Sequence, residues 1–263
     1  MDLELSNRVV LVAGASRGIG RGIAATMLAE GARVLLTGRD GAALEDARAS
    51  LATEHGPRVA AHVADMTATA GIVSALDACE AAFDVPEVLV ANVGGGYLTP
   101  GWDVGDDKLE AALEHNLAGS VRLVREGVRR MQPAAEAEGH PARNIIVISS
   151  IAGVDIMGAP FAYGMAKAGL NHFVGEMARL VGPSMRVNAV APGNILFEGG
   201  SWARNREARP EGIERWIRRE VALKRFGTVE EIADVVTFLA SPRAAFVTGA
   251  TWIADGGQVR ASS

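Results

Sequence analysis

The sequence predicts an α/β fold: a doubly wound parallel sheet of about seven strands with helices on both faces. Short runs of Val, Ile, Leu and Ala recur without polar alternation, the pattern of strands buried on both sides. Between them lie longer stretches with apolar residues at helical spacing. Strands and helices alternating through right-handed crossovers build such a sheet. A glycine-rich turn directly after the first apolar run marks a strand-to-helix junction shaped for close backbone approach.

The first strand is expected at residues 9–13 (Val-Val-Leu-Val-Ala), and the glycine turn hands over to a helix at 19–30. The apolar second strand, 33–37, leads to a helix at 42–55 rich in strong helix formers. Strands at 58–64 and 88–91 precede helices at 69–83 and 106–132. The polar, proline-bounded stretch 133–143 reads as a surface loop before the fifth strand, 144–149 (Asn-Ile-Ile-Val-Ile-Ser). A helix at 161–181, a strand at 186–190, a helix at 229–240 and a strand at 251–254 complete the alternation. The charged stretch 194–227 interrupts it just past a strand end, where open α/β sheets bind ligands. A helix around 212–223 is expected within that stretch. No repeat or linker divides the chain, so residues 1–263 read as one domain.

Composition excludes several classes. The 263 residues carry a net charge of −5, without the basic surface of a nucleic-acid binder. Apolar residues make up 49% and charged residues 22%, ordinary for a soluble globular chain. No apolar run is long enough to cross a bilayer, and the opening residues lack a basic segment followed by an apolar one. A cytoplasmic protein is therefore expected. The single cysteine, Cys79, forms no intramolecular disulfide and reads as a small buried side chain. The five histidines have no ligand-like spacing, so no metal is expected.

The chemistry is concentrated in two places. In Gly14-Ala-Ser16-Arg17-Gly18-Ile19-Gly20, the first glycine permits the tight turn, the second admits a diphosphate, and the third lets the helix pack on the strand. The following helix points its N-terminal amides at that diphosphate. The second strand ends Thr37-Gly38-Arg39 rather than in the carboxylate that holds a ribose diol. Gly38 leaves space, Arg39 suits a 2′-phosphate, and Arg17 is a second cation there. Asp40 is better placed to start the next helix. NADP(H) is therefore favoured over NAD(H). The other place is Tyr163 and Lys167, four apart and hence on one helix face. A phenol titrates too high for proton transfer at neutral pH, and a neighbouring ammonium is expected to lower it.

These residues together resemble the short-chain dehydrogenase/reductase family, in particular its 3-oxoacyl reductase-like members, over nearly the whole chain. The family's Thr-Gly-x-x-x-Gly-x-Gly has Ala13 in place of threonine here, and its Asn-Asn-Ala-Gly reads Ala91-Asn92-Val93-Gly94. Ser149-Ser150-Ile-Ala-Gly matches the serine segment, with Ser150 thirteen residues before Tyr163. Asn116 in His-Asn-Leu, Asp65 in Ala-Asp-Met, Asn188-Ala-Val-Ala-Pro192-Gly193 and Asp255-Gly256-Gly257 match further family segments. The resemblance implies a Rossmann fold and a catalytic set of Ser150, Tyr163, Lys167 and Asn116. Tyr163 would be the acid in reduction and the base in oxidation. Lys167 would hold the nicotinamide ribose, Ser150 the reacting oxygen, and Asn116 a proton path to solvent. The cofactor would be lined by Gly14, Ser16, Arg17, Gly18, Ile19, Gly20, Arg39, Asp65, Met66, Asn92, Gly94, Pro192, Gly193 and Ile195, with Tyr163 and Lys167.

The implied activity is interconversion of a ketone, 3-oxoacyl or cyclic, and a secondary alcohol. A silent dinucleotide-binding regulator and an epimerase or dehydratase of the same family are the alternatives. Residues 194–227 would be a substrate lid, with Leu196, Phe197, Trp202 and Trp216 as an apolar wall, and Tyr97 a further pocket residue. The lid's Glu214 and Arg218 sit at helical spacing, the pattern of a solvated face. Apolar positions on more than one side of 106–132, among them Leu109, Leu113, Leu117 and Val121, and the apolar segment 246–255 predict a homotetramer or homodimer.

Overall fold

A computed structural model of the chain describes residues 1–95, 101–138 and 143–260. Among the described residues, seven parallel strands form one sheet in the order β3-β2-β1-β4-β5-β6-β7. They are β1 (Val9–Val12), β2 (Arg33–Gly38), β3 (Val59–Val63), β4 (Val88–Ala91), β5 (Arg143–Ile148), β6 (Met185–Pro192) and β7 (Thr251–Ala254). This is the predicted doubly wound Rossmann sheet, with each strand within two residues of its expected bounds. The order reverses between β1 and β4, which opens a crevice at their C-terminal ends.

Side chains alternate across each strand and feed two cores. Val10 and Val12 face one layer with Ile23 and Met27 of α1 (Gly18–Ala29), Leu44 of α2 (Gly41–His55) and Ile232 of α9 (Val229–Ala240). Val9 and Leu11 face the other, with Ile72 of α3 (Thr69–Ala82), Leu123 of α5 (Gly119–Glu138) and Leu170 of α6 (Phe161–Val181). Cys79 lies in this second layer, where burial pushes its thiol up to about 12.

The expected helix at 106–132 is two helices, α4 (Asp106–Leu113) and α5, joined by a π turn at Glu114–Ala118. The side-chain amide of Asn116 takes the Ala112 carbonyl at 3.1 Å, the acceptor its own backbone N–H would use in a regular α-helix. The expected loop at 133–143 is also corrected. α5 runs through Pro133 to Glu138 because its buried stripe of Val124, Val128, Met131 and Ala135 continues past the proline. Pro133 is exposed, and its ring forfeits one helical hydrogen bond.

Within residues 194–227 two helices stand where one was expected: α7 (Ser201–Ala208) and α8 (Pro210–Glu220). Pro210 opens α8, the position where a missing N–H costs nothing. Among the described residues no helix is long and apolar enough to cross a membrane, and no group of His, Cys, Asp or Glu is arranged to hold a metal ion. Phe246 is fully exposed and Ile253 stands out on β7 at the sheet edge.

Candidate active site

The glycine turn is packed too tightly for any side chain. A Cβ on Gly20 would stand 2.2 Å from the Gly14 carbonyl oxygen, and one on Gly14 would stand 2.4 Å from that of Asn92. The Asn92 amide also donates to the Gly14 carbonyl at 3.1 Å, fastening the turn to the end of β4. Arg17, at the N-cap of α1, makes no side-chain cap there, so the first amides of α1 are left for a ligand. Gly18 opens the helix, and the Phe197 ring packs against it.

Beside the turn, Asp40 caps α2 by accepting from the Ala43 amide at 3.1 Å, as the sequence predicts. Arg39 is exposed and close enough to Asp65 and His115 to act on both electrostatically. Asp65 accepts from the Thr67 amide and hydroxyl at 2.9 and 2.7 Å, which holds its carboxyl below the usual range. Burial, then Arg39 and Lys167, lower His115. A Cβ on Gly38 would meet Ser16 and Leu44 at 3.6 Å, ordinary contact, so the space beside it is no larger than a methyl group.

The floor is built on β5 and α6. Ser150 follows β5 in extended conformation and accepts from the Ala152 amide at 3.2 Å, starting a 3₁₀ turn at Ile151–Gly153. That turn lies directly on α6, where a Cβ on Gly153 would reach the Lys167 carbonyl carbon at 2.5 Å. Ser149 donates to the Lys167 carbonyl at 3.3 Å, and Asn171 to that of Gly153 at 3.0 Å. This scaffold brings Ser150 next to the Tyr163 phenol, where it favours the ionised form. Lys167 is buried, its Nζ donating to the Ile148 carbonyl at 3.0 Å and lying 5.8 Å from the centre of the Tyr163 ring. Asn116 accepts from the Gly95 amide at 3.0 Å. Gly94, at φ +136°, fits between the Asn116 carbonyl oxygen and the Lys167 ammonium.

One electrostatic expectation is corrected. Tyr163 is pushed above its ordinary value of 10.0, not below it, because burial of the phenol outweighs the hydrogen bond from Ser150. Lys167 is lowered by burial to about 8. Both groups are biased toward neutrality.

The profile for a family described as enoyl-(acyl carrier protein) reductase matches residues 14–258. The chain belongs to the short-chain dehydrogenase/reductase family. It is 32% identical to the 3-oxoacyl-[acyl-carrier-protein] reductase FabG of Escherichia coli (strain K12), over 97% of this chain and 98% of that one. It is 31% identical to 2,3-dihydroxy-2,3-dihydro-p-cumate dehydrogenase of Pseudomonas putida, over 97% and 95%. The crystal structure of L-sorbose reductase from Gluconobacter frateurii, complexed with NADPH and L-sorbose, superposes with a TM-score of 0.90 at 28% identity and full coverage of both chains. This short-chain dehydrogenase/reductase is thus an oxidoreductase of CH–OH and ketone groups.

The structure gathers Gly14, Ser16, Gly18, Gly20, Asn92, Gly94, Asn116, Ser150, Tyr163 and Lys167 along the crevice. Ile195 and Gly193 are held by close packing on Gly227 and Asp255. Tyr97 lies outside the described residues. The predicted apolar wall divides. Trp202 and Trp216 stack at 5.2 Å and join Phe226, Ile213, Ile217 and Val221 in a small core of their own, while Phe197 leaves them for Gly18. Glu214 pairs with Arg206 of α7 at 3.4 Å rather than with Arg218, clipping the two helices together. Sequence reasoning missed Asn171, His115 and the buried pair Asn194 and Gln258, single polar residues outside any motif.

Proposed function

We propose that the chain reduces a ketone to a secondary alcohol, or runs the reverse, with NADP(H) and with Tyr163 as acid and base. The reading is carried by the meeting of Ser150, Tyr163 and Lys167 at the C-terminal end of β5, beside a glycine turn that any Cβ would fill. That turn and the uncapped start of α1 fit a diphosphate. Gly14, Ser16, Arg17, Gly18, Ile19 and Gly20 would hold it. Asp65, Met66, Asn92 and Gly94 would line the base end, and Pro192, Gly193 and Ile195 would close over the other. Arg39, with Asp40 engaged as a cap, favours the 2′-phosphate form. The bound nicotinamide supplies or accepts the hydride.

The chain's own residues do the rest. A phenol biased toward its neutral form is the competent donor for reduction. Ser150 stands beside it and is placed to share the carbonyl oxygen. Lys167, near 8, exchanges a proton close to neutral pH, and Asn116 lies on the far side of Gly94 as the next group toward solvent. The complete Ser–Tyr–Lys set argues against a silent regulator. Residues 194–227 form a lid within one domain, and the protein works in the cytoplasm.

Incubation of the pure protein with NADPH and a panel of 3-oxoacyl thioesters, cyclic ketones and ketoses, followed by nicotinamide absorbance, tests the activity. Oxidation with none of them, while NADPH binds, would favour the regulator. A homotetramer or homodimer is supported by exposed Phe246 and Ile253. Light scattering should exceed the 27.4 kDa of one chain.

A further inference from the structure

The last described residues, 255–260, touch three parts of the site. Asp255 folds them into a turn, its carboxylate accepting from the amides of Gly257, Gln258 and Val259 at 2.8, 3.0 and 2.6 Å. The turn sends the Gln258 side chain inward, where it is 2% exposed and its Oε1 accepts from Nδ2 of Asn194, itself 8% exposed. The next residues turn outward. The Arg260 amide donates to Asp155 at 3.1 Å, in the loop after Ser150, and its guanidinium donates to Glu220 at 3.0 Å, at the end of α8.

Asn194 stands between Gly193 and Ile195, and the backbone around it is already wedged. The Gly193 amide donates to the Ala254 carbonyl, and the Asn194 carbonyl and Leu196 amide bond Gly227 at 3.0 Å each. A Cβ on Gly193 would lie 2.7 Å from the Asp255 Cα. Packing alone would be served by a leucine at 258. Two carboxamides buried against each other instead fix an orientation, since each is costly to bury unpaired.

We propose that Gln258 is a positioning residue for cofactor binding. Through Asn194 it sets residues 192–196, while Arg260 registers the same strap against the Ser150 loop and α8. The inference rests on the cofactor reading above.

The test is a double-mutant cycle read by NADPH fluorescence titration and thermal unfolding. Gln258→Leu and Asn194→Leu should each weaken NADPH binding about tenfold, the scale of one lost buried hydrogen bond, and the double variant no more than either alone. Gln258→Glu, which keeps an acceptor for Asn194 in either protonation state, should restore most of the affinity. Arg260→Ala, at an exposed site, should weaken binding a few-fold at an unchanged unfolding midpoint, and it decides the matter if Gln258→Leu does not fold. Unchanged affinity in folded variants, additive losses, no rescue by Gln258→Glu, or losses that only follow the unfolding midpoint would overturn the proposal. Wild-type protein that binds no NADPH overturns the cofactor reading along with it. Wild-type binding with unaffected variants overturns this inference alone.

Discussion

The floor of the cleft and the α7–α8 pair are held by different forces. On the floor, Lys167 is 3% exposed and reaches a main-chain carbonyl, while Ser149, Gly153 and Asn171 bind Ser150's loop to α6. In the second, α7 and α8 pack around three buried residues, Ile213, Ile217 and Val221, and are clipped by the ion pair Arg206–Glu214, whose partners are about half exposed. Buried hydrogen bonds in a low-dielectric interior fix distances, whereas exposed ion pairs are worth roughly 0–1 kcal/mol.

Substitutions that probe this contrast fall in a definite order. Tyr163→Phe should cost about 10²–10⁴-fold in turnover, the usual worth of general acid–base catalysis, with NADPH affinity retained. Steady-state rates close to wild type would remove the phenol from the reaction. Arg39→Ala should weaken NADPH roughly tenfold or more and leave NADH nearly unchanged, since a lost charge-assisted hydrogen bond has about that worth. Equal losses in paired titrations would free Arg39 of any phosphate.

The third prediction concerns pH. Lys167 is lowered to about 8 in the folded protein, against an ordinary lysine value of 10.5. Between those values the unfolded chain binds more protons, so this group makes stability rise with pH from about 8 upward. Tyr163, shifted the other way from 10.0, takes stability away only above its ordinary value. Urea unfolding from about pH 8 to about pH 10 should show the rise, and Lys167→Met should flatten it. The smallest effect belongs to the α7–α8 pair: Arg206→Ala should cost less than about 1 kcal/mol of stability, its ion pair with Glu214 being exposed. A larger loss in the same unfolding measurement would make the α7–α8 pair as rigid as the floor.

The same contrast governs what the sequence makes legible. Strands such as 88–91 are continuous apolar runs whose burial their composition dictates, and the glycine turn's spacing reflects close approaches local to the chain. Pro133 misleads because its local rule, helix termination, loses to a buried stripe that continues on either side of it. The π turn is illegible because it depends on where the Asn116 amide finds a carbonyl. The rise in Tyr163 is hidden for a related reason: spacing brings an ammonium near, but only the fold decides how dry the phenol becomes. Gln258 and Asn194 lie sixty-four positions apart and belong to no periodic pattern, so only tertiary structure pairs them.

Cys79 has a practical consequence. The chain has one thiol, it is buried in α3, and it titrates near 12. At neutral pH it therefore offers almost no thiolate to an alkylating probe. A cysteine introduced at an exposed position on α7 or α8 would be the reactive thiol of the folded wild-type background. Spectroscopic labels can thus be set on α7 or α8 and on the floor in turn, and the distance between them followed, without first removing a native cysteine.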